Sequence, residues 1–138
     1  MTGDPGPTAS YFSRLDAEEC WALLAETDVG RVAWVGESGI ELVPVNYRVV
    51  DQKILFQTSA GGALARLATP TDVAFEVDDI DGETAVGWSV LLKGRSVRSV
   101  RPEGLRISWL DDERPVWIAI TPGRVSGRVL SGTKRGGN

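Results

Sequence analysis

The sequence has no histidine and a single cysteine, Cys20. Without histidine, Ser-His-Asp and Cys-His nucleophilic mechanisms are excluded, as are the usual zinc ligand sets and the side chain that most readily moves protons near neutral pH. One cysteine cannot close an internal disulfide. No apolar run approaches the roughly 20 residues of a membrane span, and Met1 to Thr8 has neither the basic nor the apolar region of a signal peptide. The expectation is a cytoplasmic protein with no membrane partner. Any chemistry should belong to a bound cofactor.

What is present suits one folded domain. The 138 residues are 42% hydrophobic and 25% charged, enough for a real core and too few residues for two ordinary domains. The net charge of −4 is unevenly spread: residues 1–88 carry five basic and fifteen acidic groups, and 89–138 ten basic and four acidic, leaving −10 and +6. A basic half can attract phosphorylated ligands or the acidic half of a second copy. No nucleic-acid-reading motif accompanies it, so charge alone predicts no nucleic-acid partner.

Gly, Pro and small polar residues over 1–12, and again over 131–138, read as flexible tails around a domain at 13–130. Asp16 with Glu19 forms a carboxylate capping box that starts a helix running to near Thr27. Its apolar face includes Cys20, Trp21 and Leu24, which should bury Cys20 and leave its thiol inert. Strands are expected over Gly30–Val35, Ile40–Val50, Ile54–Thr58, Asp72–Val77, Gly87–Val100, Val116–Ile120 and Arg124–Leu130. Pro44 marks an edge or bulge where the sheet opens, Gly94 a bulge within a long strand, and Thr121 to Gly123 a bend. A helix of about two turns over Gly62–Ala68 and a short one around Leu105–Trp109 complete the pattern. Asp78 to Glu83, despite its carboxylates, lacks calcium-loop spacing and reads as a solvated turn, so no metal site is expected. The economical architecture is mainly β: an antiparallel barrel of about six strands with an N-terminal helix and short additional helices.

Glu41 to Leu67 organises the chain. It reads as a strand, a turn at Asp51–Lys53, a second strand ending in Thr58 and Ser59, and a glycine-bearing entry into a helix. Hydroxyls, backbone N–H groups and a helix start converge there, as phosphate binding requires.

Four segments, Val43–Tyr47, Phe56–Gly61, Val73–Ile80 and Gly87–Val90, occur in the order and at the spacings of the pyridoxamine 5′-phosphate oxidase-like flavin-binding proteins. The chain resembles that family over roughly residues 14–130, in the branch holding nitroimidazole-reductase-like and deazaflavin-dependent members. The resemblance implies a split β-barrel that dimerises, with FMN in a groove between the two copies. Pro44, Val45, Asn46 and Tyr47 would then run beside the flavin ring, and Thr58 and Ser59 would hold its phosphate with the N–H groups of Gly61 and Gly62. Trp88 would approach the ring or line the substrate pocket. Relatives usually present Lys or Arg where this chain has Ala63, which removes a charge-assisted contact worth about 1.5–3 kcal/mol. Arg66, or Lys93 and Arg95, could replace it.

The implied activity is flavin-dependent oxidoreduction of a small molecule other than pyridoxamine phosphate, with Tyr47 and Ser89 as candidate proton donors or orienters. A deazaflavin reductase and a non-enzymatic cofactor-binding protein of the same fold are the alternatives. Haem is disfavoured because its ligation would fall to Tyr or Met.

Overall fold

The computed structural model describes residues 9–102 and 115–132. Its sheet has seven strands: β1 (Ala9–Leu15), β2 (Val29–Gly36), β3 (Gly39–Val50), β4 (Lys53–Ser59), β5 (Thr71–Asp81), β6 (Val86–Ser99) and β7 (Pro115–Gly132). A helix, α1 (Ala17–Glu26), follows β1, and a 3₁₀ helix, Ala63–Ala68, joins β4 to β5. All strand pairs are antiparallel. Their order β7-β4-β3-β2-β5-β6 closes on itself through β6–β7 pairing, which makes the barrel. Closure removes most of the free edge that an open sheet of this size would expose.

β7 closes the ring and carries β1 as well. One of its edges pairs first with β4, from Ser59↔Pro115 to Ile54↔Ile120, and then with β1, from Leu15↔Gly127 to Ala9↔Gly132. The other pairs with β6. The two closing strands expected at 116–120 and 124–130 are therefore one strand. The expected bend survives as a bulge: Lys93 faces Arg124 while Gly94 faces Pro122, so Gly123 is the extra residue. Gly94 sits where a Cβ would lie 2.3 Å from the Thr121 carbonyl oxygen, which is why the position holds glycine. The flexible segment expected at 1–12 is corrected at its end, because Ala9 already belongs to β1 and gains its hydrogen-bonding partner from β7. The short helix expected near Leu105 lies outside the described residues.

Strand alternation sorts the side chains. Val32, Trp34, Val45, Tyr47, Phe56, Phe75, Val90, Leu92 and Ile118 fill the interior. The capping box forms as expected: Asp16 accepts the Glu19 N–H at 2.8 Å and Glu19 accepts the Asp16 N–H at 3.0 Å. The helix it starts lays Cys20 and Leu24 on the core, both fully buried. Burial, then the charges of Asp16 and Glu19, push the Cys20 thiol up, away from the reactive thiolate. At the β3–β4 turn Asp51 and Gln52 both take positive φ, the geometry of a two-residue hairpin turn matched to strand twist. Asp81 closes the β5–β6 turn by accepting the Glu83 and Thr84 N–H groups, which holds its carboxyl below the usual range. Among the described residues no helix is long and apolar enough to cross a membrane.

Candidate functional site

The barrel is split beside β3. Pairing of β3 with β4 runs from Val50↔Lys53 only to Tyr47↔Phe56, whereas pairing with β2 continues to Gly39. From Asn46 back to Gly39, β3 has a partner on one side only among the described residues, and Pro44 lies in that free-edged stretch. This is the opening that Pro44 signalled in the sequence, because proline has no N–H to give a ladder.

The four candidate residues at this edge divide by pleat. Pro44 is exposed and Asn46 half-buried on the outer face, while Val45 and Tyr47 point inward and are buried. Asn46 Oδ1 is buried without a hydrogen-bond partner among the described residues. A buried acceptor left in that state costs about 1–3 kcal/mol unless a ligand or water supplies a donor. Tyr47 is different. Its hydroxyl donates to the Leu24 carbonyl at 2.6 Å and lies 2.6 Å from Thr27 Oγ1, and its ring meets Phe75 edge-on at 4.9 Å. Burial pushes the phenol pKa up, against the lowering by the Thr27 bond, while Asp28 raises it and Arg48 lowers it to lesser extents. The phenol fastens α1 to the barrel and the Tyr47 N–H is held by the Asp28 carbonyl at 2.9 Å, so Tyr47 supports the edge from inside and its expected role as proton donor is corrected.

Opposite the free edge, β4 ends in Thr58 and Ser59. Thr58 is buried and Ser59 half-buried, on opposite pleats, so the two hydroxyls do not share one face of the strand. The turn that follows uses one of the anticipated donors internally, since Gly62 N–H bonds to the Ser59 carbonyl at 3.0 Å. Gly61 is exposed with open space where a Cβ would stand. The helix beyond is 3₁₀ and six residues long, too short to concentrate a helix dipole as a regular α-helix does. Arg66 is exposed and its guanidinium lies 3.9 Å from Glu37 in the β2–β3 turn, so the loop from Ser59 to Arg66 runs along the split. Exposed pairs of this kind are weak, which leaves Arg66 able to leave Glu37.

Trp88 is half-buried against the core at the far end of β6, beside Asp79, Gly87 and Val129. The opposite end of that strand, Ser99, pairs with Trp117, which is the neighbour of Gln57. Trp88 and the Thr58–Ser59 turn are therefore separated by on the order of 30 Å of strand, and one chain does not bring them together.

The outer face of the sheet carries a second group of residues that sequence reading left scattered. Register aligns them in rows: Arg14, Arg128, Ser89 and Asp78; then Ser126, Leu91, Glu76 and Arg31; then Arg124, Lys93, Ala74, Ala33 and Leu42. Arg31 bridges Glu76 at 2.7 Å and Asp78 at 3.2 Å, and Arg95 meets Asp72 at 2.9 Å. Desolvation, then the hydrogen bond and charge of Asp78, push Glu76 up to about 6 against the opposing pull of Arg31. Val35, Ile40 and Leu42 on the same face are 71%, 80% and 64% exposed, a contiguous apolar patch.

Comparison with known proteins places this geometry. The family model of pyridoxamine 5′-phosphate oxidase matches residues 16–129. The uncharacterized protein Rv0080 of Mycobacterium tuberculosis is 31% identical, over 92% of this chain and 91% of its own length. The FAD binding protein from Mycobacterium smegmatis is 31% identical, with a TM-score of 0.70 over 86% of this chain and 98% of its own. A FAD-binding protein from Mesorhizobium loti, 24% identical with a TM-score of 0.72 over 88% of this chain and 98% of its own, shares the fold. With the family model spanning β2 to β7 and relatives aligned over nearly their whole lengths, the chain belongs to the pyridoxamine 5′-phosphate oxidase family.

Proposed function

We propose that the protein binds a flavin, FMN in the first instance, and acts as an oxidoreductase on a small molecule. The observation that carries this reading is the split beside β3, where Asn46, whose buried Oδ1 has no hydrogen-bond partner among the described residues, begins the free edge just past the last β3–β4 pair, Tyr47↔Phe56. The residues fit such a group in part. Asn46 and the backbone of Pro44 offer polar contacts along a free edge, and the Ser59 hydroxyl with the Gly61 N–H suits a phosphate. The Thr58 hydroxyl, although buried, already borders the loop, 3.7 Å from where a Cβ at Gly62 would stand. No cation stands at Ala63, so Arg66 must exchange Glu37 for the phosphate.

A bound flavin supplies hydride or electron transfer. The chain's residues bind and orient it, and the apolar patch of Val35, Ile40 and Leu42 excludes water once covered. We assign that cover to a second copy of the chain. A homodimer buries the patch, and it is the arrangement in which Trp88 can approach the split, because its own chain keeps it at the other end of β6. The single buried thiol suits a reducing cytoplasm.

Titration of the protein with FMN, followed by quenching of flavin fluorescence, tests the reading. Binding in the micromolar range or tighter, weakened at least tenfold by Ser59→Ala and by Asn46→Ala, supports it. Absence of FMN binding with retention of a deazaflavin moves the cofactor assignment, and binding of neither rejects it. Light scattering at micromolar concentration should give the dimer mass.

A further inference from the structure

A polar pocket of about 460 Å³ opens on the outer face where β1, β7, β6 and β5 meet, lined by Arg14, Arg124, Arg128, Ser89, Ser126 and Glu76. The register explains the convergence. Arg14 pairs with Arg128 and Arg128 with Ser89, so these side chains stand roughly 5 Å apart across three strands. Arg124 enters from two rows away, on the same face, because the extra residue Gly123 shifts the alternation of β7. Interior-facing Ile118 and Ile120 are even-numbered before the bulge, and outward-facing Arg124, Ser126 and Arg128 are even-numbered after it. Without that bulge the three would face the core. Arg14 and Arg124 form no ion pair among the described residues, although Arg31, Arg48, Arg66 and Arg95 each do.

Arg124 also lines a larger groove of about 910 Å³ whose walls include Trp34, Val35, Ile40, Val97 and Pro122. That volume lies within the range of small-molecule sites, and the lining is apolar with cations at one side. The two cavities adjoin at Arg124, an apolar groove on one side and a guanidinium-rich pocket on the other.

We propose that Arg14, Arg124 and Arg128, with the hydroxyls of Ser89 and Ser126, form an oxyanion site that selects small molecules bearing a phosphate or carboxylate, whose apolar body lies along Val97 and Pro122 in the adjoining groove, clear of the Val35–Ile40 patch that the second copy covers. Guanidinium forks with hydroxyl donors are the side-chain equipment for planar or tetrahedral oxyanions. The site lies apart from the Ser59–Gly62 loop and needs no bound flavin. If the flavin reading holds, it defines the substrate as an anion.

Glu76 sets the pH dependence. It is faced by Arg31 from β2, by Asp78 on its own strand, by Ser89 and Leu91 on β6, and by the three arginines from β1 and β7. As a carboxylate it competes with the ligand for these cations, and as a carboxylic acid it does not.

Sulfate, a dianion throughout the range pH 5 to 8, is the probe, with binding to the full chain read by titration calorimetry. Saturable binding is expected, tightening as pH falls through about 6. Arg124→Gln with Arg128→Gln should weaken it tenfold or more, and Arg14→Gln should weaken it in the same direction without touching β7. Glu76→Gln should bind more tightly than the parent at pH 7.5 and show little pH dependence. Phenyl phosphate should bind more tightly than inorganic phosphate, and benzoate against phenyl phosphate tells which oxyanion is preferred. No saturation into the tens of millimolar, or equal binding by the arginine variants, overturns the proposal. So does an arginine variant that leaves sulfate binding unchanged but lowers the mass in solution, which would give the arginines to an interface between copies. None of these results bears on FMN affinity, so the flavin reading is judged separately.

Discussion

Replacing Tyr47 with phenylalanine removes one oxygen atom and tests whether that residue is a strut or a participant in chemistry. The ring is fully buried and keeps its edge contact with Phe75 in the variant. What is lost is the donation to the Leu24 carbonyl and the contact with Thr27 Oγ1, each 2.6 Å. Two buried hydrogen bonds contribute about 1–3 kcal/mol net. The Leu24 carbonyl, in the last turn of α1, loses its tertiary donor, which places the expected loss near the middle of that range, about 2 kcal/mol. For a domain of this size that is a fall in Tm of roughly 5–10 °C. Thr27 can still donate to the Leu23 carbonyl at 3.0 Å, so it is not stranded. Urea unfolding at fixed protein concentration measures the loss, and a double-mutant cycle with Thr27→Val isolates the shared contact. Flavin titration well below the transition should be unchanged. A variant with parental stability and abolished flavin binding or turnover would refute the reasoning, because it would show the phenol exposed to the site rather than locked beneath α1.

Gly94→Ala should destabilise the barrel by about 2–3 kcal/mol, or prevent folding, because its Cβ meets backbone rather than a flexible side chain; thermal melts and soluble yield check this. Glu76 is an acid whose folded pKa, about 6, exceeds its ordinary 4.5, so the folded state holds the proton more tightly. Its contribution to stability is full below about pH 4.5 and is lost as pH rises through about 6. Glu76→Gln should flatten that part of the stability profile measured by urea unfolding between pH 4 and 7.5.

The sequence carried much of the fold because local signals agreed with one another. The Asp16–Glu19 capping box, the hydrophobic alternation of β2 to β5 and Pro44 at the split each state a local hydrogen-bonding requirement that tertiary structure had only to satisfy. Legibility failed where a residue's role depends on a distant partner. Tyr47 read as part of a ligand wall from the segment it belongs to, yet alternation and the carbonyl of Leu24 turn its hydroxyl inward. Thr58 and Ser59 read as a pair of phosphate donors; the pleat sets their side chains on opposite faces of β4, and only the loop that follows brings Gly62 beside the Thr58 hydroxyl. Trp88 read as a neighbour of the flavin from motif order, and the length of β6 holds it away within one chain.

By itself, the sequence determined the antiparallel barrel, the inert buried cysteine, the exclusion of histidine chemistry and the glycine at Gly94, since composition and period-two patterning state these directly. It also showed a basic C-terminal half. Only the tertiary structure decided where that charge goes. Register laid the acidic residues of β5 beside the basic residues of β6, with β7 and β1 beyond, and paired Arg95 with Asp72. The extra residue at Gly123 then turned Arg124 and Arg128 outward into a common pocket with Arg14, from more than a hundred residues away in the chain. A bulge of one residue inverts the face of everything after it, and its position is set by pairing with β6, which no local pattern in β7 records.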